Sequence, residues 1–401
     1  MRPVLSVLLV LSLSLPCPAE EANPNTLTPK EIAEGWILLF DGESAFGWDV
    51  ASKPAVRKGV LIHDGSDEDV RASTTTVFRN YELKFEYLIE KNAKIPSPVI
   101  WQSTQYFLEA ATPLIRFKGW ASANLKVTDD DISGTATEIR ESPLATMEGF
   151  TLTIKPKHTI SQHISFSVPK GNKLSLRNVK LKALGMKSLL KSKGQTQTNW
   201  AQYGGDPKRA KSDFRMTKEG WLSIKNGPGD LQSTGQWADF ALQLECRTNG
   251  DNLNSGVFFR CIPGEYQNGY EAQIQNQKAK EPKKYIIQEY DPRTHELKDK
   301  KTIENWSQDY GTGAIYRRIP ARRSVAKDRE WFTMTVVAHG RHIATWVNGS
   351  QVVDWTDNRP ENNNARNGCR LKKGPISLQG HDPTTDLNFR NIRIADLAAK
   401  D

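Results

Sequence analysis

Apolar residues along this chain alternate with polar ones; they rarely repeat at helical spacing. Short alternating runs such as Gly256 to Ile262, Gly269 to Gln275, Trp331 to Ala338 and His342 to Asn348 are bounded by Gly, Asn, Asp and Pro clusters. That pattern predicts strands joined by turns. One short helix is predicted from Thr28 to Glu34, with Thr28 as its cap and Pro29 at the first helical position. Many short strands without alternating long helices indicate an all-β protein built of sandwiches. The first half is less regular: Ser73 to Thr76 and the Pro96 to Pro98 stretch read as eroded or looped strands.

The chain also repeats itself at long period. The frame L-x-[LF]-R-N-[VI]-[KR]-[LI]-x-x-L fits both Lys173 to Leu184 and Asp386 to Leu397. Tyr81 to Tyr87 (YELKFEY) parallels Phe240 to Cys246 (FALQLEC). Two copies of one strand-rich unit are therefore expected, at 27–186 and 199–398. Residues 187–198, rich in Lys, Ser, Gly, Gln and Thr, form the expected linker.

Strand alternation puts every second side chain on one face. Leu242, Leu244, Cys246, Val257, Phe259, Cys261, Tyr270, Ala272, Ile274, Ile376 and Leu378 then point inward. The opposite face carries Glu245, Arg247, Arg260, Glu271, Gln273, Gln379 and His381. Arg, Glu, Gln and His bind hydroxyl-bearing ligands in defined geometry, whereas an ordinary wet sheet face favours Lys, Thr and Ser. A salt-bridged exposed face is the competing reading of the same row.

Composition narrows the class. A length of 401 residues suggests about two domains, and 11 Trp with 10 Tyr supply flat rings of the kind that pack on sugars, although most such rings are core. Residues 1–19 read as an export signal: Arg2, the apolar run Val4 to Leu15, then Cys17-Pro18-Ala19. Export to the periplasm or beyond is expected. Pro16 fits a lipid anchor on Cys17 badly, and no later stretch approaches a transmembrane span. The remaining Cys246, Cys261 and Cys369 allow at most one disulfide and have no zinc-like spacing. The net charge of +9 comes from dispersed lysines on an exported chain, which argues against nucleic acid as a partner.

Five segments, in this order, carry a family resemblance: Asn254 to Arg260 (NSGVFFR), Gly269 to Ile274 (GYEAQI), Thr312 to Tyr316 (TGAIY), Trp346 to Gly349 (WVNG), and Gly374 to His381 (GPISLQGH) followed by Phe389 to Ile394. The second half resembles the 3-keto-disaccharide hydrolase family. The first half is similar only faintly, in Gly35 to Gly42 and Arg177-Asn178-Val179. The resemblance implies two tandem concanavalin A-like jelly-roll sandwiches, the first a degenerate copy without catalysis. It also implies cleavage of a glycoside already oxidised at C3, with a carbohydrate as partner. The ketone acidifies the C2 proton; a base removes it and the C1 substituent leaves.

For that chemistry Glu271 and His381 are the candidates for base and acid, with the two roles unassigned between them, and Arg260 is the candidate to polarise the keto oxygen. Asn254, Gln273, Tyr316, Gln379, Glu245 and Arg247 are candidate sugar-binding residues. Ordinary glycoside hydrolysis predicts two neighbouring carboxylates, and Glu271 stands without a second acid at i+2 or i+5. The family often has Asp where this chain has Asn276, which questions catalysis. A non-catalytic glycan-binding module or a cell-surface scaffold is the alternative. No cofactor is required, and a structural calcium has candidate donors in Asp382, Asp386 and the turn 251–254.

Overall fold

The computed structural model describes residues 24–50, 54–91, 100–102, 112–114, 116–139, 150–154, 162–191 and 199–398. The expected export signal, Cys17, Pro96 to Pro98 and most of the expected linker lie outside them. Antiparallel sheets dominate, and each half stacks an eight-stranded sheet on a five-stranded one. This is the all-β sandwich expected from the alternation, and it agrees with the jelly roll that the family resemblance implies. The helix Pro29–Glu34 forms with a complete capping box between Thr28 and Glu31, and Gly35 closes it at φ 90°.

The two halves share one strand order. The larger sheet of the first half runs 150–154, 132–138, 121–127, 81–91, 172–183, 60–65, 55–57; that of the second runs 350–356, 342–347, 332–339, 240–248, 386–396, 222–225, 213–216. The smaller sheets match likewise: 48–50, 70–78, 162–168, 100–102, 112–113 against 200–202, 229–233, 377–380, 255–259, 270–274. Within 187–198, Lys187–Ser188 pairs with Ile394 and Arg393, mirroring Trp36–Leu38 on the first half's 172–183 strand.

The repeated Arg-Asn pair has a structural cause. Asn178 and Asn391 both sit at φ 52°, in the left-handed region that Asn tolerates, and each breaks the register of its strand pair into a bulge. A glutamate from the neighbouring strand clamps each bulge. Glu86 accepts from Arg177 Nε at 2.6 Å and Asn178 Nδ2 at 2.8 Å. Glu245 accepts from Arg390 Nη2 at 2.6 Å and Asn391 Nδ2 at 2.5 Å. The guanidinium of each lies over a tryptophan, Trp120 at 4.3 Å and Trp331 at 4.1 Å.

The halves pack closely. Trp346, Ala241, Val337 and Ala344, on the outer face of the second half's larger sheet, join the apolar cluster of the first half. Trp346 Nε1 donates to the Leu38 carbonyl at 2.9 Å, and Arg322 and Arg323 both reach Asp41. Cys246, Cys261 and Cys369 are buried free thiols, so the disulfide that the sequence left open does not form. Burial pushes the Cys246 and Cys261 thiols well above the usual range. None of the described helices is long and apolar enough to cross a membrane.

Candidate functional site

The smaller sheet of the second half carries the site. Its inward row, Leu231, Leu378, Val257 and Ala272, is core. One residue along, each strand turns its side chains to the other face. Gln232 pairs with Ser377, Ser377 with Phe258, and Phe258 with Glu271. The adjoining row contains Asp230 beside Gln379 and Gly256 beside Gln273. Glu271, Gln273 and Gln379, which the alternation singled out, are thus brought onto one face, together with Asp230 and Gln232.

Gly256 is the floor of this site. A Cβ there would lie 2.6 Å from Glu271 Oε1, so the carboxylate rests where a side chain would otherwise stand. Glu271 is buried, and no hydrogen bond from any described residue reaches its carboxylate. Burial lifts its pKa to about 7, against the opposing pull of the Arg366 and Arg317 guanidinium groups. Gln273 Nε2 donates to the Asp309 carbonyl at 3.0 Å, which leaves its Oε1 buried and unpartnered. Gln379 Oε1 is also buried and unpartnered. Two orphaned acceptors next to a buried carboxyl suit hydroxyl donors from a ligand.

Asp230 was missed by the sequence reading. It is fully buried and its pKa is raised by that burial, although Ser377 Oγ, Gln232 Nε2 and the Gln267 amide all donate to it. With three donors, it anchors the loop over the sheet and is less free to react than Glu271. The signal was present in Gly229 to Ser233, but a single apolar residue, Leu231, made the run too short to phase. A recess of about 380 Å³ lined by Tyr266, Gln267, Asn268, Arg366, Arg209 and Pro228 opens beside Asp230. The Tyr266 phenol senses both Asp230 and Glu271, and burial above all pushes it up to about 12. A larger recess of about 660 Å³ lies under the hairpin of Lys278–Tyr290 and Leu297–Ser307. Glu271 lines neither recess; Arg366 of the smaller and Arg317 of the larger both act on its carboxyl.

Other expected members stand elsewhere. Arg260 lies one residue past the strand Ser255–Phe259 at φ 50°, which turns its side chain away from the face. It donates to the carbonyls of Ala238, Gly340 and Arg370 and pairs with Asp239, so it ties loops together and cannot polarise a keto oxygen over Glu271. Glu245 and Arg247 are on the larger sheet, on the opposite side of the sandwich. Glu245 is the bulge clamp, and Arg247 holds Asn249 at 3.0 Å beside Trp221 and Trp331. Alternation gives the face within a strand, not the sheet to which the strand belongs.

His381 shares a face with Gln379 but lies four residues beyond Ser377, about 13 Å along the strand direction from the Glu271 row. It is exposed and its Nδ1 contacts Asp382 Oδ2 at 2.8 Å. The structure does not bring it to Glu271. Asn254 is half-buried just ahead of the strand Ser255–Phe259. The Tyr316 amide donates to the Glu271 carbonyl at 2.9 Å, and its ring meets Tyr310 edge-on at 5.4 Å. Tyr316 therefore borders the site.

Asn276 is not on the carboxylate face. Its Nδ2 donates to Asp328 at 3.1 Å and its Oδ1 accepts from Thr312 at 2.6 Å. An aspartate here would face Asp328, so the amide suits its neighbours and takes nothing from Glu271. The proposed calcium donors are dispersed: Asp386 pairs with Lys225, Asp251 with Arg329, and Asp382 with His381 and Thr384. Among the described residues no group of three or more His, Cys, Asp or Glu converges on one point.

The geometry defines a jelly-roll protein with a polar, hydroxyl-accepting face on the smaller sheet. A model of the 3-keto-alpha-glucoside-1,2-lyase-like domain matches residues 185–395, more than half of the chain. The chain belongs to that family. Among solved structures it is similar to a putative glycosyl hydrolase from Parabacteroides distasonis, with 24% identity, 53% of this chain and 99% of that chain covered, and a TM-score of 0.37. A second putative glycosyl hydrolase of that organism matches at 18% identity over 51% and 91%, with a TM-score of 0.36. A carbohydrate-binding module from Bacillus subtilis matches at 14% identity over 49% and 94%, with a TM-score of 0.30. No curated protein matches.

Proposed function

We propose that this chain is an exported enzyme that cleaves 3-keto-glycosides, with Glu271 as the base. The observation that carries this reading is the buried Glu271 carboxyl, lifted to about 7 and without a hydrogen bond from any described residue, beside the unpartnered oxygens of Gln273 and Gln379. A base poised near neutrality is matched to a proton made acidic by an adjacent ketone. The ionised carboxyl takes the C2 proton, and the electron pair passes into the C1–C2 bond by way of the enolate. The C1–O bond breaks, and the departing oxygen keeps its electron pair and gains a proton from water. Addition of water to the resulting double bond gives the free 3-keto sugar. Arg366 and Arg317 supply positive potential as charge develops, and Gln273 and Gln379 orient sugar hydroxyls.

A non-catalytic glycan-binding module would use the same face without proton transfer. The raised Glu271 favours the enzyme, because a binding site gains nothing from a carboxyl kept near its midpoint. Incubating the full chain with a 3-keto-disaccharide and with its unoxidised parent tests this. Cleavage of the oxidised sugar alone is expected; cleavage of neither, with binding retained, supports the module.

A further inference from the structure

The first half presents the same face of its smaller sheet, and that face opens on a second cavity. By register, Arg71 takes the place of Asp230, Ser73 that of Gln232, Ser165 that of Ser377 and Ser167 that of Gln379. The carboxylate that anchors the catalytic face is replaced by a guanidinium and the amides by hydroxyls. Arg71 is exposed and pairs with no carboxylate among the described residues; its nearest partner is Ser165 Oγ at 3.5 Å. Ser165 in turn meets Ser73 Oγ at 2.7 Å.

Opposite this floor stands the second half. A cleft of about 760 Å³ lies between the halves, with Arg71, Ser73 and His163 on one wall and His342, Asp354 and Trp355 on the other. That is within the roughly 300–1,000 Å³ usual for small-ligand sites. Thr75 Oγ1 and His342 Nε2 both engage Asp354 Oδ1, at 2.8 and 2.7 Å. Asp354 Oδ2 has no partner among the described residues. His163 Nδ1 donates to the Thr74 carbonyl at 2.6 Å, and the residue lines the cleft. The walls thus offer a fork of donors at Arg71, carboxylate acceptors at Asp49 and Asp354, and the ring of Trp355.

The geometry points to a second, non-catalytic saccharide site in this cleft, taking a neutral oligosaccharide. Arg71 stands against two carboxylates, Asp49 and Asp354, so the cleft carries no excess of positive charge to favour an anion, which suits a neutral ligand with many hydroxyls. The cleft's carboxyl groups, on Asp49 and Asp354, are both more exposed than that of Glu271. The cleft therefore captures glycan while the second half performs its chemistry, and this inference does not depend on what that chemistry is.

Hydrogen exchange of the full chain with maltotriose, cellotriose and laminaritriose, each at saturating millimolar concentration, tests it. Protection of segments 70–78 and 342–356 by at least one trisaccharide is expected. Titration of Arg71→Ala with the same sugar is expected to show binding weakened about tenfold or more. Cleavage of a 3-keto-disaccharide should not change in that variant. Binding of none of the three, protection confined to 229–233 and 270–274, or unchanged affinity in Arg71→Ala would each overturn the site.

Discussion

The two halves share a scaffold and differ at one face. Both keep the glutamate clamp, the left-handed Asn and the tryptophan under the guanidinium: Glu86, Arg177, Asn178 and Trp120 in one, Glu245, Arg390, Asn391 and Trp331 in the other. Both bury a tryptophan that donates to a carbonyl of the preceding segment, Trp48 to Leu39 and Trp200 to Leu189. On the outward face of the smaller sheet the agreement ends. Where the second half has Asp230, Gln379, Gly256 and Gln273, the register gives the first half Arg71, Ser167, Ile100 and Pro113. The second half also inserts residues 275–331 where the first has only 114–120, and that insertion supplies Asp309, Tyr316 and Arg317 to the site wall. Fold and site are therefore separable: both halves keep the clamp at the bulge of the larger sheet, whereas only the second carries the Glu271 face.

The sharpest break of this comparison is at Glu271. Glu271→Gln should lower kcat for a 3-keto-disaccharide by about 10²–10⁴-fold with ligand binding retained, as measured by steady-state rates and calorimetry. Arg71→Ala, at the matching face, should leave that rate unchanged. Next comes the floor. Gly256→Ala puts a Cβ 2.6 Å from Glu271 Oε1, so the carboxyl must shift. A displacement of that order costs about 10²-fold in rate with little loss of melting temperature.

Stability changes follow. Glu271 is raised from 4.5 to about 7, so between these values the unfolded chain gives up its proton first and the native state loses about 3 kcal/mol as pH rises. Denaturant titrations should show Glu271→Gln gaining on the parent by that order between pH 4.5 and 7, with no further gain above. In the first half the sign reverses. His63, which faces the core where the second half has Ile224, has both ring nitrogens unpartnered and is lowered from 6.5 to about 4 by burial. The unfolded chain protonates first there, so about 3 kcal/mol is lost as pH falls from 6.5 to 4. His63→Leu should remove that acid lability. The smallest effects are at the clamps: Glu245→Ala and Glu86→Ala should each cost about 1–2 kcal/mol, with turnover unchanged in both. The former should cost more, because its carboxyl is the more buried, 11% against 22% exposed.

The sequence showed the sandwich and its duplication because alternation and the Arg-Asn frame are local. It found Glu271, Gln273 and Gln379 because each sits in a strand with a clean apolar face. Glu245, Arg247 and Arg260 were grouped with them wrongly. The first two have the right face of the wrong sheet, and Arg260 has left its strand through a positive φ that no alternation pattern reveals. Asp230 and the loops around Arg366 and Tyr266 reach the site through long-range pairing, which is fixed by topology and not by neighbours in the chain.

The central claim is that Glu271 removes the C2 proton, and the pH dependence of kcat/KM on a 3-keto-disaccharide tests it most directly. The account predicts an acid limb with a midpoint near 7, above which the rate is level, and loss of that limb in Glu271→Gln. A profile that is flat through neutrality, or a limb that persists unchanged in Glu271→Gln, would contradict it.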